Sequence, residues 1–521
     1  MVDFKSLVSL LPEGRKREYL GQKFVNALIK YYEKYNLNEI DLDDLVVNSI
    51  NTIINNKQFI KDLKLFAQTE LDDIIDELGF EKNYSFKNVQ KALIIYFNIE
   101  DPKQSTTKLE YNRNVDVDVP LHDFQERIRR KVINLIFNNH KRFLIHMPTG
   151  SGKTRTAAEI ILDFIRFSAS KSLFSNKIKI LWIAQSSELC QQAAQTIEFI
   201  FKRKGTTNIR IEHFYDDSNI SDDILNESAV IFCSIQKLIL HYNEPIWKNI
   251  RNETYLVIVD EAHRSVASKW VQALNSFVNS PSVYLLGLTA TPGISSITNE
   301  NNHLLSTYYQ NNKISITDEN YTDIEYPIKY LVDKEILSEI ERIDIDSFVE
   351  LKESDYDFKD EEIVFKDITL EKLSLNPDRN QSIINIIKEN HSINKKILIF
   401  TCGIEHNRIL KSILKEYEID SEYVDAKSGN RNSVIDRFKN GDLNVLLNFG
   451  VLTTGFDAPK TDVCIIARPI NSIVMYSQMV GRILRGPKNK GNMSNKLYTI
   501  KDNLGHGDYD QLFKSFNEFY K

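Results

Sequence analysis

From Met1 to about Asn114, apolar side chains recur three and four positions apart. The stretches VNALIKYYEKY, DLDDLVVNSINTIINN and TELDDIIDELGF carry this period and glycine is scarce. Together they predict a helical N-terminal domain over residues 1–114. The segment DPKQSTTKLEYNRNVDVDVP then loses the period, gains charge and ends in Pro120, as a linker would. Between His122 and about Thr307 the texture changes. Short β-branched runs (KIKILWIAQ, AVIFCSI, YLVIVD, VYLLGLTA) alternate with amphipathic helical stretches. Runs apolar on every residue suit strands covered on both faces, which predicts a doubly wound α/β domain over 115–307. A polar, Asn-rich stretch from Asn299 to Asn320 follows, then an insertion around Ser347 to Asp367. The pattern resumes in KKILIFT, DLNVLLNFG and TDVCIIARP, so a second domain of the same class is expected over 308–505. Aromatics at helical spacing in YDQLFKSFNEFYK predict a C-terminal helix over 506–521, packed back on the body.

Composition narrows the setting. The chain has 521 residues, more than one hydrophobic core usually supports. Its apolar runs are all too short to cross a bilayer, and the N-terminus places its charges after a short apolar stretch, the reverse of a secretory signal; a cytoplasmic protein with no membrane segment is expected. Cys190, Cys233, Cys402 and Cys464 are scattered with no C-x-x-C pair, so neither a disulfide framework nor a zinc knuckle is indicated and they read as core residues. A net charge of −6 argues against indiscriminate coating of nucleic acid, so any such groove must be local.

Two motifs carry chemistry. The run RFLIHM leads into PTGSGKT and then into TRTAAEIILDFI, the strand, loop and helix of a phosphate-binding loop. Thr149, Gly150, Ser151 and Gly152 would close backbone N–H groups around phosphates, Lys153 would reach the β- and γ-phosphates, and Thr154 would offer its hydroxyl to magnesium. Met147 stands where the usual pattern has its first glycine. Further on, YLVIVDEAHR places Asp260 and Glu261 at the end of a buried strand, the edge at which open α/β sheets bind ligands. Asp260 would serve the metal shell and Glu261 the attacking water, since phosphoryl transfer needs positioning and charge stabilisation.

The combination of MPTGSGKT and DEAH resembles the superfamily 2 helicases, and further motifs follow in that family's order from His122 to Asp502. The resemblance implies two RecA-like domains in tandem behind the small helical one, with ATP and Mg2+ between them. In LHDFQ, Gln125 would contact adenine, although His122 stands where arginine is common. In LTATP, Thr289 and Thr291 would couple hydrolysis to nucleic-acid binding, and His263 would join that relay. TTGFDAP would place Gly455 and Asp457 near nucleotide, with Thr453 and Thr454 nearer the strand. In YSQMVGRILRG, Gln478, Arg482 and Arg485 are spaced to share one face of a helix. The arginines would neutralise γ-phosphate charge from the facing domain; alone, they would read as a basic surface face. IAQSSELCQQ and CSIQKL would touch a nucleic-acid backbone, or Ser187 and Gln236 would merely cap helices. The lysines of RGPKNKGNMSNK read either as phosphate contacts or as a solvated loop. DEAH, TATP and GRILR together are most similar to the branch of restriction, excision-repair and fork-remodelling motors. That implies a helicase or translocase on DNA, single-stranded or duplex, in a restriction, repair or antiphage setting, with an RNA helicase or a DNA-stimulated ATPase subunit of a nuclease complex that does not unwind as the alternatives. A protein partner such as a nuclease would dock on the N-terminal domain.

Overall fold

A computed structural model describes residues 2–35, 37, 40–80, 84–97, 120–171, 177–205, 207–290, 299–359, 362–425, 428, 431–450, 458, 460–470 and 473–504. The expected linker up to residue 119 and the expected C-terminal helix over 506–521 lie outside them.

The N-terminal helical pattern folds as helices at Phe4–Ser9, Glu13–Leu20, Gln22–Tyr35, Leu42–Asn48, Ile50–Ile53, Lys57–Phe66, Gln68–Glu77 and Phe86–Tyr96. Polar caps set their starts: the Asp41 carboxylate accepts from the backbone N–H of Asp43 at 2.9 Å, and Asn56 accepts from Gln58 at 2.8 Å.

Beyond Pro120 the chain builds two parallel sheets. The first joins β1 (Arg142–His146), β2 (Lys179–Ala184), β3 (Arg210–Phe214), β4 (Ala229–Ser234), β5 (Thr254–Asp260), β6 (Tyr284–Thr289) and β7 (Lys313–Ile314). Their order is β3-β4-β2-β5-β6-β1-β7. Every residue of β2, β4 and β6 is buried, as a sheet covered on both faces requires. This sheet extends past residue 307, where the sequence divides the domains. Beneath the polar Asn-rich stretch, Asn312 accepts the Leu144 N–H at 2.9 Å and its side chain donates to the Arg142 carbonyl at 3.0 Å, recruiting Lys313–Ile314 as an edge strand.

The second sheet joins β8 (Glu339–Leu351), then, past the hairpin β9 (Tyr356–Lys359) and β10 (Glu362–Phe365), β11 (Ile397–Phe400), β12 (Ser421–Val424), β13 (Val445–Asn448), β14 (Val463–Ile466) and β15 (Ser494–Leu504). The order is β12-β13-β11-β14-β15-β8, again parallel throughout. Ser347–Leu351, expected within an insertion, instead continue β8, where pairing with β15 resumes beyond a bulge. The β9-β10 hairpin is the inserted element.

Period-two alternation decides what each face of the second sheet meets. Leu398, Phe400, Leu446, Cys464 and Ile466 join the cluster shared with the first domain. Ile397, Ile399, Val445, Leu447, Val463 and Ile465 join a cluster shared with the N-terminal helices. That docking is specific. Tyr31 donates to Gln381, Lys34 pairs with Asp378 at 2.6 Å, and the Arg408 guanidinium lies 4.3 Å from the Phe24 ring centre. The N-terminal domain therefore packs on the second α/β domain, although it precedes the first in the chain. All four cysteines are buried.

Arg379 and Asp502 are fully buried and bind in bidentate fashion at 2.7 and 2.9 Å, and Ser347 donates to the same carboxylate at 2.7 Å. They tie the helix Pro377–Ser392 to β15 and β8. Removing one member leaves the other charge uncompensated, so Asp502→Asn is expected to cost about 3–5 kcal/mol, read as an earlier unfolding transition in denaturant. Beside them, buried His406 accepts from the Cys402 N–H through Nδ1 at 3.1 Å and faces the Asn380 carbonyl oxygen through Nε2 at 3.0 Å, which sets the Nε2–H tautomer. Burial, and then nearby Arg379, hold its pKa well below the usual value. The folded chain thus keeps it neutral while the unfolded chain takes a proton below about pH 6.5, so stability is lost as pH falls. Wild type should lose about 1.4 kcal/mol more per pH unit below 6.5 than His406→Gln, checked by denaturant titrations at pH 7, 6 and 5.

Candidate active site

At the C-terminal edge of the first sheet, β1 runs into a loop whose glycines take left-handed backbone, with φ of +85° at Gly150 and +87° at Gly152. A Cβ on Gly152 would lie 2.4 Å from the Gln125 side-chain nitrogen. Gln125 is buried at both ends: its Nε2 donates to the Ser151 carbonyl at 2.7 Å and its Oε1 accepts from the His122 N–H at 2.9 Å. It holds the loop from behind, and contact with an adenine would require its amide to exchange the Ser151 carbonyl for the base. Met147 is fully buried and its N–H reaches the Thr289 carbonyl at 3.0 Å, so the absent glycine is replaced by a core side chain.

Lys153 opens the helix Lys153–Lys171, with Thr154 next, and its Nζ donates to the Met147 carbonyl at 3.3 Å. The walls around it desolvate the ammonium and lower its pKa, opposed by the negative field of Glu261 and Asp260. Across from it, β5 ends in buried Asp260, whose carboxyl is pushed up by burial and by adjacent Glu261, with Lys153 pulling the other way. Glu261 sits at φ +51°, ψ +50°, a left-handed conformation few non-glycine residues adopt, and its N–H donates to the Asp260 carboxylate at 3.0 Å. The short helix Ala262–Arg264 then buries His263, held neutral by desolvation. Its Nδ1 lies 3.5 Å from the Glu261 carboxylate and 3.4 Å from the Thr289 hydroxyl on β6. An acid at one strand end is thereby linked through an imidazole to the next strand. Gly287 within β6 is required because Tyr309 crosses there: an added Cβ would lie 2.6 Å from its ring.

The second domain supplies the facing wall. The expectation that Gln478, Arg482 and Arg485 share one helix face is corrected by the structure. The helix Ile473–Val480 ends before Arg482. The Arg482 and Ile483 N–H groups return to Met479 and Val480 in tight turns, and Arg485 is extended, bridged to Leu337. The turn lies where the domains meet, and it needs glycine there: a Cβ on Gly481 would lie 2.0 Å from the Thr149 methyl. Gln478 remains on the helix and its carbonyl accepts from Arg482 Nε at 3.1 Å. Arg485 Nη1 donates to the Gly150 carbonyl at 2.7 Å. The fields of Arg482 and Arg485 both act on Lys153. Lys153, Asp260, Glu261, Arg482 and Arg485 thus converge on one cleft. Thr291, Thr453, Thr454, Gly455 and Asp457 lie outside the described residues.

Gln185, Ser187 and Gln236 line an open depression of about 450 Å³ on the first domain. Ser186 caps the helix Ser187–Lys204, while Ser187 donates to Asp216. Arg431 of the second domain reaches Glu188 on its rim at 3.0 Å. Sequence reading missed Arg431, as it missed Leu337 and Leu484 against Gly150, because none belongs to a motif with chemistry of its own.

Residues 118–294 match the family model described as type III restriction enzyme, res subunit, and residues 378–487 match the helicase conserved C-terminal domain. The chain is 28% identical over 372 residues to the putative ATP-dependent helicase IRC3 of Saccharomyces cerevisiae, covering 70% of this chain and 49% of that protein. It is 22% identical over 408 residues to the type I restriction enzyme EcoAI endonuclease subunit of Escherichia coli, covering 73% of this chain and 45% of that one. It therefore spans about half the length of these curated relatives. The type ISP restriction-modification enzyme LlaBIII, solved bound to DNA, shares the fold with a TM-score of 0.52 at 18% identity, over 79% of this chain and 30% of that one. With two RecA-like sheets that match a restriction-enzyme res-subunit model and a helicase C-terminal model, the chain carries the paired domains of a helicase-family protein and is similar to the superfamily 2 helicases.

Proposed function

We propose that this protein is an ATP-driven motor that moves along or unwinds DNA in a restriction, repair or antiphage setting. One observation carries the cleft chemistry: Arg485, from the second domain, already touches the phosphate loop at Gly150, in the same cleft as Lys153. ATP would lie across this cleft, with its phosphates in the loop of Thr149 to Gly152. Lys153 would bind the β- and γ-phosphates. The buried Asp260 carboxylate, with the Thr154 hydroxyl, is the sparse oxygen set that Mg2+ takes beside substrate phosphates; bound there, the ion would neutralise charge on the β- and γ-oxygens. Glu261 would orient and deprotonate the attacking water, with His263 relaying its state to Thr289 and to the strand-binding face. Arg485 would exchange the Gly150 carbonyl for the γ-phosphate and, with Arg482 held by Gln478, stabilise the transition state. Since the arginines and Lys153 come from different domains, hydrolysis and domain closure are one event. Gly455 and Asp457 would complete the nucleotide side.

DNA is favoured over RNA because the family model over the first domain and the EcoAI relative are both restriction-enzyme subunits. The depression at Ser187 and Gln236 is the candidate backbone contact. A nuclease partner would dock on N-terminal faces away from Gln22–Tyr35, which the second domain covers.

The decisive measurement is steady-state ATP hydrolysis without nucleic acid and with single-stranded DNA, duplex DNA, forked DNA or duplex RNA. DNA should stimulate, Lys153→Ala should abolish turnover, and Arg485→Ala should lower kcat by about 10³ or more. Stimulation by RNA alone would reverse the substrate assignment. Gly481→Val, which forces a side chain into Thr149 and against the Ser477 carbonyl, should also lower kcat.

A further inference from the structure

The turn that carries Arg485 is shaped by residues outside every motif. Ser338 shares its hydroxyl proton between the carbonyls of Arg485 and Asn492, and buried Asn495 donates to the Ile483 carbonyl. Gly486 and Gly491 let backbone approach where a Cβ would lie 2.5 Å from the Glu335 carbonyl oxygen and 1.8 Å from that of Arg485. The loop closes on itself through the Gly491 N–H to the Gly486 carbonyl at 2.9 Å and the Asn492 N–H to the Arg485 carbonyl at 3.1 Å. Lys488 and Lys490 of this loop are exposed, while its backbone forms a hydrogen-bonded bracket behind the arginine.

One side chain of the bracket faces the other domain. Asn489 is anchored by its Nδ2, which donates to the Ile336 carbonyl at 3.0 Å, and presents its Oδ1 at 3.4 Å from His122 Nε2. The His122 ring lies parallel to Phe124, with 5.9 Å between ring centres and 9° between planes. The His122 backbone N–H binds Gln125, which holds the Ser151 carbonyl of the phosphate loop. Arg485 meets the same loop at Gly150. The contacts form a closed ring: arginine, bracket, Asn489, His122, Gln125, phosphate loop, and back to the arginine. For Asn489 to accept, His122 must carry its proton on Nε2.

We propose that Asn489 is a positioning residue: by docking on His122 it seats the arginine-bearing turn against the base side of the nucleotide site and so sets where Arg485 points. The inference rests on the reading of this cleft as the ATP site and extends it. Asn489 touches no reacting atom. Its loss should misplace the arginine in the transition state while leaving ground-state nucleotide binding intact, which appears in kcat and not in KM.

The test is steady-state ATPase on the full chain for wild type, Lys153→Ala, Asn489→Ala, His122→Phe, the Asn489→Ala/His122→Phe double variant, and two conservative variants. His122→Gln keeps a side-chain N–H donor for the Asn489 Oδ1, whereas Asn489→Asp keeps that acceptor but loses the Nδ2 anchor on the Ile336 carbonyl. Asn489→Ala and His122→Phe should each lower kcat about tenfold with KM for ATP changed less than about twofold, and the double variant should fall no further than either single. His122→Gln should retain most of the rate, and Asn489→Asp should lose rate as Asn489→Ala does. Losses that multiply in the double variant, a raised KM at unchanged kcat, or no loss in Asn489→Ala would overturn the proposal. A wild type that hydrolyses no ATP, or a Lys153→Ala chain that still does, would instead remove the ATP-site reading, and this inference with it.

Discussion

Opposite charges held out of water at one sheet edge govern the rest of this structure. Lys153 and the Asp260–Glu261 pair face each other where β1 and β5 end, with desolvation acting against the charged forms of Lys153 and Asp260. The negative field of Asp260 and Glu261 offsets part of the desolvation of Lys153, and the field of Lys153 part of that of Asp260. The surrounding geometry serves that arrangement. Left-handed glycines let the loop fold back over the lysine, Gln125 braces the loop from behind, and β6 separates the two charged strand ends while carrying Thr289 to the imidazole of His263.

The second domain completes this edge without sharing its sheet. Its contribution is a turn at Gly481, pressed on Thr149 and followed by Arg485, which is bridged to Leu337. An arginine on a helix face would move with the whole helix. An arginine on a bracketed turn is aimed by that turn's own hydrogen bonds, and the bracket here reaches across to His122. The N-terminal domain sits on the far face of the second sheet, through Phe24, Tyr31 and Lys34. It is therefore tied to the domain that carries the arginines, so movement of one implies movement of the other.

Much of this was legible in sequence because it rests on local rules. Continuous apolar runs marked strands β2, β4 and β6, the 3.6-residue period marked the N-terminal helices, and GSGKT and DEAH have few other physical uses when each follows a buried strand. Where reading failed, tertiary pairing overrode local pattern. Lys313–Ile314 became a strand only because the edge of β1 recruits it, Ser347–Leu351 became a strand because β15 pairs with them across a bulge, and the spacing of Gln478, Arg482 and Arg485 matched a helix that ends before Arg482, at the turn where Gly481 packs on Thr149.

The sequence by itself determined the types of most elements, the two α/β domains and the residues that bear charge in the cleft, because periodicity and motif chemistry act over a few neighbouring residues. Only the tertiary structure decided which face of the second sheet receives the N-terminal helices, that the Arg379–Asp502 pair locks β15 to its neighbours, and that Asn489 and Arg431 reach across to the first domain. Those contacts join residues up to several hundred positions apart, and no local pattern encodes a partner at that distance.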